Sequence, residues 1–166
     1  TATNVSRPDG IHGKMAHFAS SATANSTNRV ETSYSLSHGS TVMMWVKGTT
    51  GKVWCASNSG SYYELTLTVS STATTLNFSG LTGGSITLNT NIGDGDWHHV
   101  ACVFGASETK IYVDGTLDSS STTADWTAWA SFLSGTGYPQ PNEFIVGCRA
   151  TRNIYGTRYS EGFDGG

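Results

Sequence analysis

The stretch that decides the fold is DWHHVACVFGASETKIYVDGT, residues 96–116. β-Branched and aromatic residues fill two short runs within it, His98–Phe104 and Lys110–Val113. The Asp114-Gly115 pair that follows the second run is a strong hairpin signal, because both residue types tolerate the positive φ of a tight type I′ turn. The stretch therefore predicts antiparallel strands joined by turns.

The same pattern extends outward from this stretch in both directions. Short runs of alternating apolar and polar residues, such as residues 65–69, end at clusters of Gly, Asn, Ser or Asp, and no helical period is present. About ten such runs predict an all-β domain, a two-sheet antiparallel β-sandwich that occupies residues 1–166 as one unit. Besides the two runs above, the predicted strands are Lys14–Ala19, Arg29–Tyr34, Thr41–Lys47, Lys52–Ser57, Tyr62–Ser70, Thr74–Ser79, Ser85–Asn89 and Glu143–Arg149.

The composition agrees with a hydroxyl-rich β surface. Charged residues make up only 13% of the chain, while 5 Trp, 7 Tyr and 6 Phe can supply a core. Thr suits a pleated sheet, and Ser, Gly and Asn suit its turns. The net charge of −3 provides no basic patch, and no apolar run approaches the length of a membrane span. We therefore expect no nucleic-acid partner and no membrane span.

The three cysteines, Cys55, Cys102 and Cys148, are widely spaced and lie in apolar or strand-like contexts. This pattern favours buried thiols that act as small hydrophobic residues, and one disulfide with a thiol left over is the alternative. Buried thiols favour assembly in a reducing compartment, as for a virion protein made in the cytosol.

Two tryptophans lie inside predicted strands. Residues 42–46, which include Trp45, are apolar at every position, so this strand is either covered on both sides or faces a groove on one side. The residues that we expect to be buried are Trp45, Trp97, Val100, Ile111, Val113 and Ile145.

Residues 119–141 read as a long surface loop rich in Ser, Thr, Gly and Pro, and loops of this length often carry function. Exposed aromatic rings give sugar rings a flat apolar surface on which to stack. The ligand-binding candidates are therefore the aromatic residues of this loop and of the polar C-terminal segment; the alternative is that the loop tryptophans only anchor the loop. The candidates are Trp126, Trp129, Tyr138, Tyr155 and Tyr159.

The acidic residues do not show a catalytic pattern. Glycoside hydrolysis needs two neighbouring carboxylates, and two carboxylates on one face of a strand would read Glu-x-Asp or Glu-x-Glu. No glutamate has such a partner, so we expect no enzymatic activity. His98 and His99 are adjacent on one strand and point to opposite faces, so they cannot jointly bind a metal.

A single metal site is considered, for calcium at Asp94 and Asp96, since calcium prefers oxygen ligands. The alternative is an Asp-Gly-Asp turn held by side-chain hydrogen bonds. No cofactor is required by any motif in the sequence.

Several segments resemble a known family. Asp96–Ala101 followed by Lys110–Gly115 resembles the signature hairpin of laminin G-like jelly-roll domains, in the concanavalin A-like lectin/glucanase superfamily. Gly13–Phe18 resembles the first core strand of that family, Thr41–Lys47 its central Trp-bearing strand, and Phe144–Gly147 its late strand. Residues 159–166 resemble the approach to the closing strand. The resemblance implies a jelly roll that binds ligands.

Two departures from the family concern its ends. Family members usually continue into a closing strand, whereas this sequence stops at Gly166. They also often carry an acidic calcium-binding residue just after the first core strand, where this sequence has Ala19 after Phe18. The resemblance therefore predicts an open sheet edge after the late strand. Residues 1–7 have an extended, low-charge character and are a candidate donor strand, within the domain or to a neighbour.

These observations predict a non-catalytic recognition or adhesion module. It would bind a glycan or another surface ligand within a surface assembly, such as a phage virion appendage or an extracellular filament. The alternative is a purely structural decoration subunit whose partners are only proteins. We expect self-assembly or a larger protein assembly, located at a virion surface or outside the cell.

Overall fold

The computed structural model describes residues 2–3, 9–10, 13–14, 29–57, 64–79, 84–122, 143–147, 151–152, 158–159 and 164–165. Every regular element in these ranges is a β-strand. Within the same ranges, no helix is long and apolar enough to cross a membrane. In chain order the strands are β1 (Ala2–Thr3), β2 (Asp9–Gly10), β3 (Gly13–Lys14), β4 (Arg29–Thr32), β5 (Thr41–Val46), β6 (Gly48–Ser57), β7 (Glu64–Val69), β8 (Thr74–Ser79), β9 (Gly84–Thr87), β10 (His98–Phe104), β11 (Glu108–Val113), β12 (Thr116–Thr122), β13 (Glu143–Val146), β14 (Thr151–Arg152), β15 (Arg158–Tyr159) and β16 (Asp164–Gly165).

The strands form two main antiparallel sheets. The larger sheet has eight strands in the order β1-β4-β13-β6-β7-β8-β9, with β16 paired to β6 outside this path. The smaller sheet has four strands in the order β12-β11-β10-β5. Two further pairs, β2 with β3 and β14 with β15, stand apart. The predicted two-sheet antiparallel sandwich is therefore confirmed.

The core lies between the inner faces of the two main sheets. Trp54 on β6 is 1% exposed and makes an edge-to-face contact with Phe104 on β10, with ring centroids 6.3 Å apart and an interplanar angle of 86°. The ring of Phe144 on β13 stacks on Trp54 at 5.6 Å. Because Trp54 contacts an aromatic ring of each sheet, it joins the two layers of the sandwich.

The predicted buried set is confirmed at four positions and wrong at one. Val100, Ile111, Val113 and Ile145 are buried, whereas Trp45 is 39% exposed. The reason is the alternation of β5, which directs Val42, Met44 and Val46 toward the core and Met43 and Trp45 to the opposite face. The remaining member of the set, Trp97, precedes β10 and is only partly buried.

The predicted start of the long loop, at residue 119, is wrong. Residues 119–122 belong to β12, and each of them pairs with a residue of β11. Serine is common in turns, and here cross-strand pairing with the buried residues Ile111 and Thr109 overrides that local preference.

The late strand is closed on both sides. β13 pairs with β4 through Ile145 and Glu31 and with β6 through Ile145 and Cys55, so no open edge remains there. The N-terminal segment contributes β1, which pairs with β4 inside the same sheet. The expectation of an unpaired edge beside β13 is therefore wrong, and a donor role of residues 2–3 is fulfilled within the domain.

Two of the three cysteine positions lie in the described part of the chain. Cys55 and Cys102 are both buried thiols, as expected from their apolar context. Burial raises the pKa of the Cys102 thiol to about 12, so it stays protonated and unreactive at neutral pH. Cys148 lies outside the described residues.

Candidate functional site

The side of the smaller sheet that faces away from the core carries a row of apolar side chains. Met43 on β5 lies opposite Ala101 on β10, Ala101 lies opposite Tyr112 on β11, and Tyr112 lies opposite Leu117 on β12. Directly paired residues in antiparallel strands share a face. The row therefore crosses the whole four-stranded sheet. We call this side, with Met43, Trp45, His99, Ala101, Tyr112 and Leu117, the outward face.

The outward face is open to solvent. Met43 is 67% exposed, Leu117 is 50% exposed and Trp45 is 39% exposed. Single exposed apolar residues are common on soluble proteins, but residues that line up across adjacent strands form a contiguous patch. Contiguous apolar patches of this kind mark ligand or protein contact sites.

The indole of Trp45 is held by a neighbour. His99 lies opposite Trp45 on β10, and the two rings meet edge-on with centroids 5.4 Å apart and an interplanar angle of 63°. The backbone N–H of His99 donates a 2.8 Å hydrogen bond to Oδ1 of Asp114, which anchors this part of β10 to the β11–β12 turn. The exposed ring of Trp45 therefore packs against a residue whose backbone is itself held by a hydrogen bond.

The turn that provides this support adopts the predicted conformation. Asp114 has φ 50° and Gly115 has φ 82°, as a type I′ turn requires. The side chain of His98 joins the turn to the preceding loop, with Nδ1 2.8 Å from Oδ2 of Asp114 and Nε2 3.2 Å from Oδ2 of Asp94. His98 therefore contacts two carboxylates, whereas the neighbouring His99 contacts the ring of Trp45.

The histidine and the two carboxylates shift each other's ionisation. Burial lowers the pKa of His98, but hydrogen bonds to Asp114 and Asp94 outweigh burial, so its pKa is raised overall. The backbone N–H of Asp96 and the His98 ring lower the pKa of Asp94. The backbone N–H of His99 and then the His98 ring lower the pKa of Asp114. The cluster is therefore most stable with His98 protonated between two carboxylates.

One of the two proposed calcium ligands, the Asp94 carboxylate, has hydrogen-bond partners within the protein. The N–H of Asp96 donates a 2.9 Å hydrogen bond to Oδ1 of Asp94, which is the turn geometry considered as the alternative. Among the described residues, no group of three or more His, Cys, Asp or Glu side chains is arranged to hold a metal ion. Calcium binding at these two positions stays a prediction.

Of the predicted aromatic ligand-binding residues, the structure describes the backbone of Tyr159. Tyr159 lies in β15, where its backbone pairs with Thr151. The other four candidates, Trp126, Trp129, Tyr138 and Tyr155, lie outside the described residues. Met43, Tyr112 and Leu117 were not among the predicted site residues; the signal for part of this site was the uninterrupted apolar run at residues 42–46.

Carboxylates from separate strands do share a face of the larger sheet. Glu143 on β13 lies opposite Ser57 on β6, and Ser57 lies opposite Glu64 on β7. A residue pattern along a single strand does not reveal this arrangement, because the two carboxylates come from different strands. Glu64 is only 1% exposed, and Cys55 Sγ lies 3.8 Å from its Oε2. This carboxylate is therefore enclosed by the protein.

Comparison with known proteins supports the fold. A laminin G family model, described as the concanavalin A-like lectin/glucanases superfamily, matches residues 18–160. Domain 4 of AbnA, a GH43 extracellular arabinanase from Geobacillus stearothermophilus whose structure contains arabinotriose, aligns with a TM-score of 0.64 and 18% identity over 98% of this chain and 73% of that one. A comparison with curated proteins finds no significant match.

Two further solved structures are similar. A heptameric SAP-like pentraxin from Limulus polyphemus has a TM-score of 0.60 and 16% identity, covering 90% of this chain and 70% of its own. The mouse laminin α1 chain, domains LG4-5, has a TM-score of 0.59 and 15% identity, covering 100% of this chain and 42% of its own. At these identities the likeness concerns the fold alone.

Proposed function

The chain belongs to the laminin G-like part of the concanavalin A-like lectin/glucanase superfamily, and we propose that it is a non-catalytic recognition module that binds a glycan or another surface ligand through its outward face. The observation that carries the proposal is the exposed apolar row across the four-stranded sheet, with Trp45 beside it. A soluble domain has no folding reason to leave such a row in water.

The chemistry of the outward face suits a sugar. A pyranose or furanose ring presents C–H groups on one side, which pack on an aromatic ring, and hydroxyl groups at its rim, which need hydrogen-bond partners. Trp45 and Tyr112 supply rings, while the imidazole of His99 and the phenol of Tyr112 supply polar groups. Because His99 already orients Trp45, a ligand loses little free energy in ordering that ring.

The absence of catalysis is part of the proposal. Relatives in fold include an arabinanase domain and the Crh5 transglycosylase, so the fold alone does not decide the question. The outward face carries no pair of carboxylates among its named residues. The acidic pair on the larger sheet includes Glu64, which is 1% exposed. These features support binding without turnover.

The setting proposed for the domain is a surface assembly. A phage virion appendage or an extracellular filament would display many copies, so a weak glycan contact at each outward face would add up through multivalency. The arabinanase neighbour is described as extracellular, which agrees with a location outside the cell. We further propose that the loop residues Trp126 and Trp129 contact the same ligand and that calcium at Asp94 and Asp96 aids binding.

A purely structural role in a larger protein assembly is the second candidate. Met43 at 67% exposure and Leu117 at 50% are flexible aliphatic side chains of the kind found in protein–protein contacts. In that case the outward face would pack on a neighbouring subunit and would not meet a glycan.

A glycan array probed with the 166-residue chain, in calcium and in chelator, tests the proposal. Binding of a defined set of glycans supports recognition, and equal binding in chelator removes the calcium role. Absence of any bound glycan, together with concentration-dependent self-association in light scattering that Met43→Asp abolishes, would favour the structural role instead.

A further inference from the structure

A shallow cavity lies where β12, at the edge of the smaller sheet, meets β9 of the larger sheet. Its volume is about 320 Å³, and its lining includes Ile86, Asn89, Leu117, Asp118, Ser119 and Ser120. Pockets for small ligands span roughly 300–1,000 Å³, so this cavity has room for a small polar group.

A β-bulge in β12 sets the position of Asp118, the acidic residue of the cavity. Tyr112 pairs with Leu117, but Ile111 pairs with Ser119, so Asp118 is the extra residue of β12 and has no partner on β11. A bulge of this kind turns a side chain away from the regular pleat. Here it brings the Asp118 carboxylate to the loop that follows β9.

The carboxylate is fixed by three donors. Asp118 Oδ2 accepts the N–H of Asn89 at 2.7 Å and the hydroxyl of Ser119 at 2.7 Å, and Oδ1 accepts the N–H of Thr90 at 2.8 Å. A carboxylate has about four acceptor positions, so about one is left for a further donor. Burial raises the pKa of Asp118, but these hydrogen bonds outweigh burial, and the pKa is lowered overall.

The neighbouring polar groups add acceptors and hydroxyls. The side-chain NH₂ of Asn89 donates to the backbone carbonyl of Asp118 and lies 3.4 Å from the Ser119 hydroxyl. This leaves the Asn89 side-chain oxygen without a hydrogen-bond partner in the described part of the chain. Ser120 is exposed and lines the same cavity. The cavity therefore offers oxygen acceptors at defined positions, which suits a ligand that donates hydroxyl hydrogens.

The local charge selects against anions. None of the lining residues is basic. The cation nearest in register is Lys110, which lies opposite Ser120 and forms an ion pair with Glu108. An ionised Asp118 next to an internally neutralised pair leaves the cavity negative, so a ligand carboxylate or sulfate placed there would meet a like charge.

The cavity is continuous with the outward face. Leu117 belongs both to the apolar row and to the cavity lining. From β5 to β12 is three strand spacings, or about 14 Å, which is the length of an oligosaccharide and not of a single sugar. A chain of sugars that stacks near Trp45 and runs along the row would place one end beside Asp118.

From this geometry we infer that the cavity at Asn89, Asp118 and Ser120 is a terminal subsite that binds the neutral, hydroxyl-bearing end of a glycan and rejects ends that carry a carboxylate or sulfate. The inference rests on the proposed function, since it assigns one part of the ligand to one part of the same surface.

The test uses an array printed with matched pairs of neutral and uronic-acid-terminated oligosaccharides. The wild-type chain should bind each neutral member at least about fivefold more tightly than its acidic partner, as expected for one like-charge contact in water. Asp118→Asn should reduce this preference. Ser120→Trp, which fills the cavity and removes none of the hydrogen bonds to Asp118, should weaken binding of the neutral members about tenfold or more, a loss of one good contact.

Thr116→Trp is the matched control, because Thr116 is exposed on the same strand but does not line the cavity. Ser120→Trp that binds like this control, or acidic members that bind as tightly as neutral ones, would overturn the subsite. If Trp45→Ala also leaves binding unchanged, or if the wild-type chain binds no glycan at all, the proposed function fails with it. Weakening by Trp45→Ala alone means that only the subsite is wrong.

Discussion

Replacing Trp45 with alanine separates ligand binding from folding. The ring is 39% exposed, and a tryptophan presents up to about 250 Å², so a ligand can cover at most about 100 Å² of it. At about 25 cal/mol per Å² this gives an upper limit near 2.5 kcal/mol. A sugar covers only part of that area, so we expect a loss of about 1–2 kcal/mol, or roughly 5- to 30-fold in Kd.

The assay is isothermal titration calorimetry with the best ligand from the array, beside a thermal melt of each variant. Tyr34→Ala is the matched control, since Tyr34 is an aromatic residue that is 52% exposed but lies before β5 and outside the outward face. It should bind normally. Trp54→Ala, in contrast, should cost about 3–5 kcal/mol of stability, because that ring is 1% exposed in the core. Wild-type affinity in a folded Trp45→Ala variant would refute the assignment of the outward face.

Three further predictions concern pH, catalysis and the long loop. Because folding raises the pKa of His98, this residue stabilises the folded state below its ordinary pKa, and the stabilisation is lost as the pH rises through the pKa of His98 in the folded protein. Folding lowers the pKa values of Asp94 and Asp114, so these residues stabilise the folded state above pH about 4, and their contribution is lost as the pH falls. The melting temperature should therefore peak between pH about 4 and about 6.5, and His98→Gln should flatten the high-pH side of that peak; an unchanged profile would show that the cluster does not matter for stability. Incubation with glycans that bind should release no reducing ends, and measured turnover would end the non-catalytic reading. Trp126→Ala or Trp129→Ala should weaken binding by about 1–2 kcal/mol if these residues stack on the ligand; a large fall in melting temperature with normal affinity would mean that they anchor the loop.

The fold could be predicted because its signals are local. The Asp114-Gly115 pair specifies its own turn, and the two strands before it, β10 and β11, alternate between buried and partly exposed residues with period two. A register set by local turn chemistry and by one buried face leaves few alternatives. The β12 strand escaped prediction because its serines gain strand structure only from pairing with β11.

The candidate site was harder to predict because it depends on which face of a strand is covered. An uninterrupted apolar run such as residues 42–46 has the same sequence pattern whether both faces of the strand are buried or one face is exposed. The sequence therefore predicts Trp45 in the core. The position of Asp118 depends on a one-residue register shift between β11 and β12, and no local sequence pattern predicts that shift. Both features follow from pairing between distant segments.

Methyl NMR of the methionines tests the central claim most directly. The chain has 3 Met residues, so ¹³C-methyl labelling gives an uncrowded spectrum. Met43 is 67% exposed on the outward face, whereas its neighbour Met44 packs against the core. On titration with a glycan from the array, we predict that the Met43 methyl signal shifts in a saturable way while that of Met44 stays nearly unchanged. Saturable glycan binding that leaves the Met43 signal in place would contradict recognition through this face.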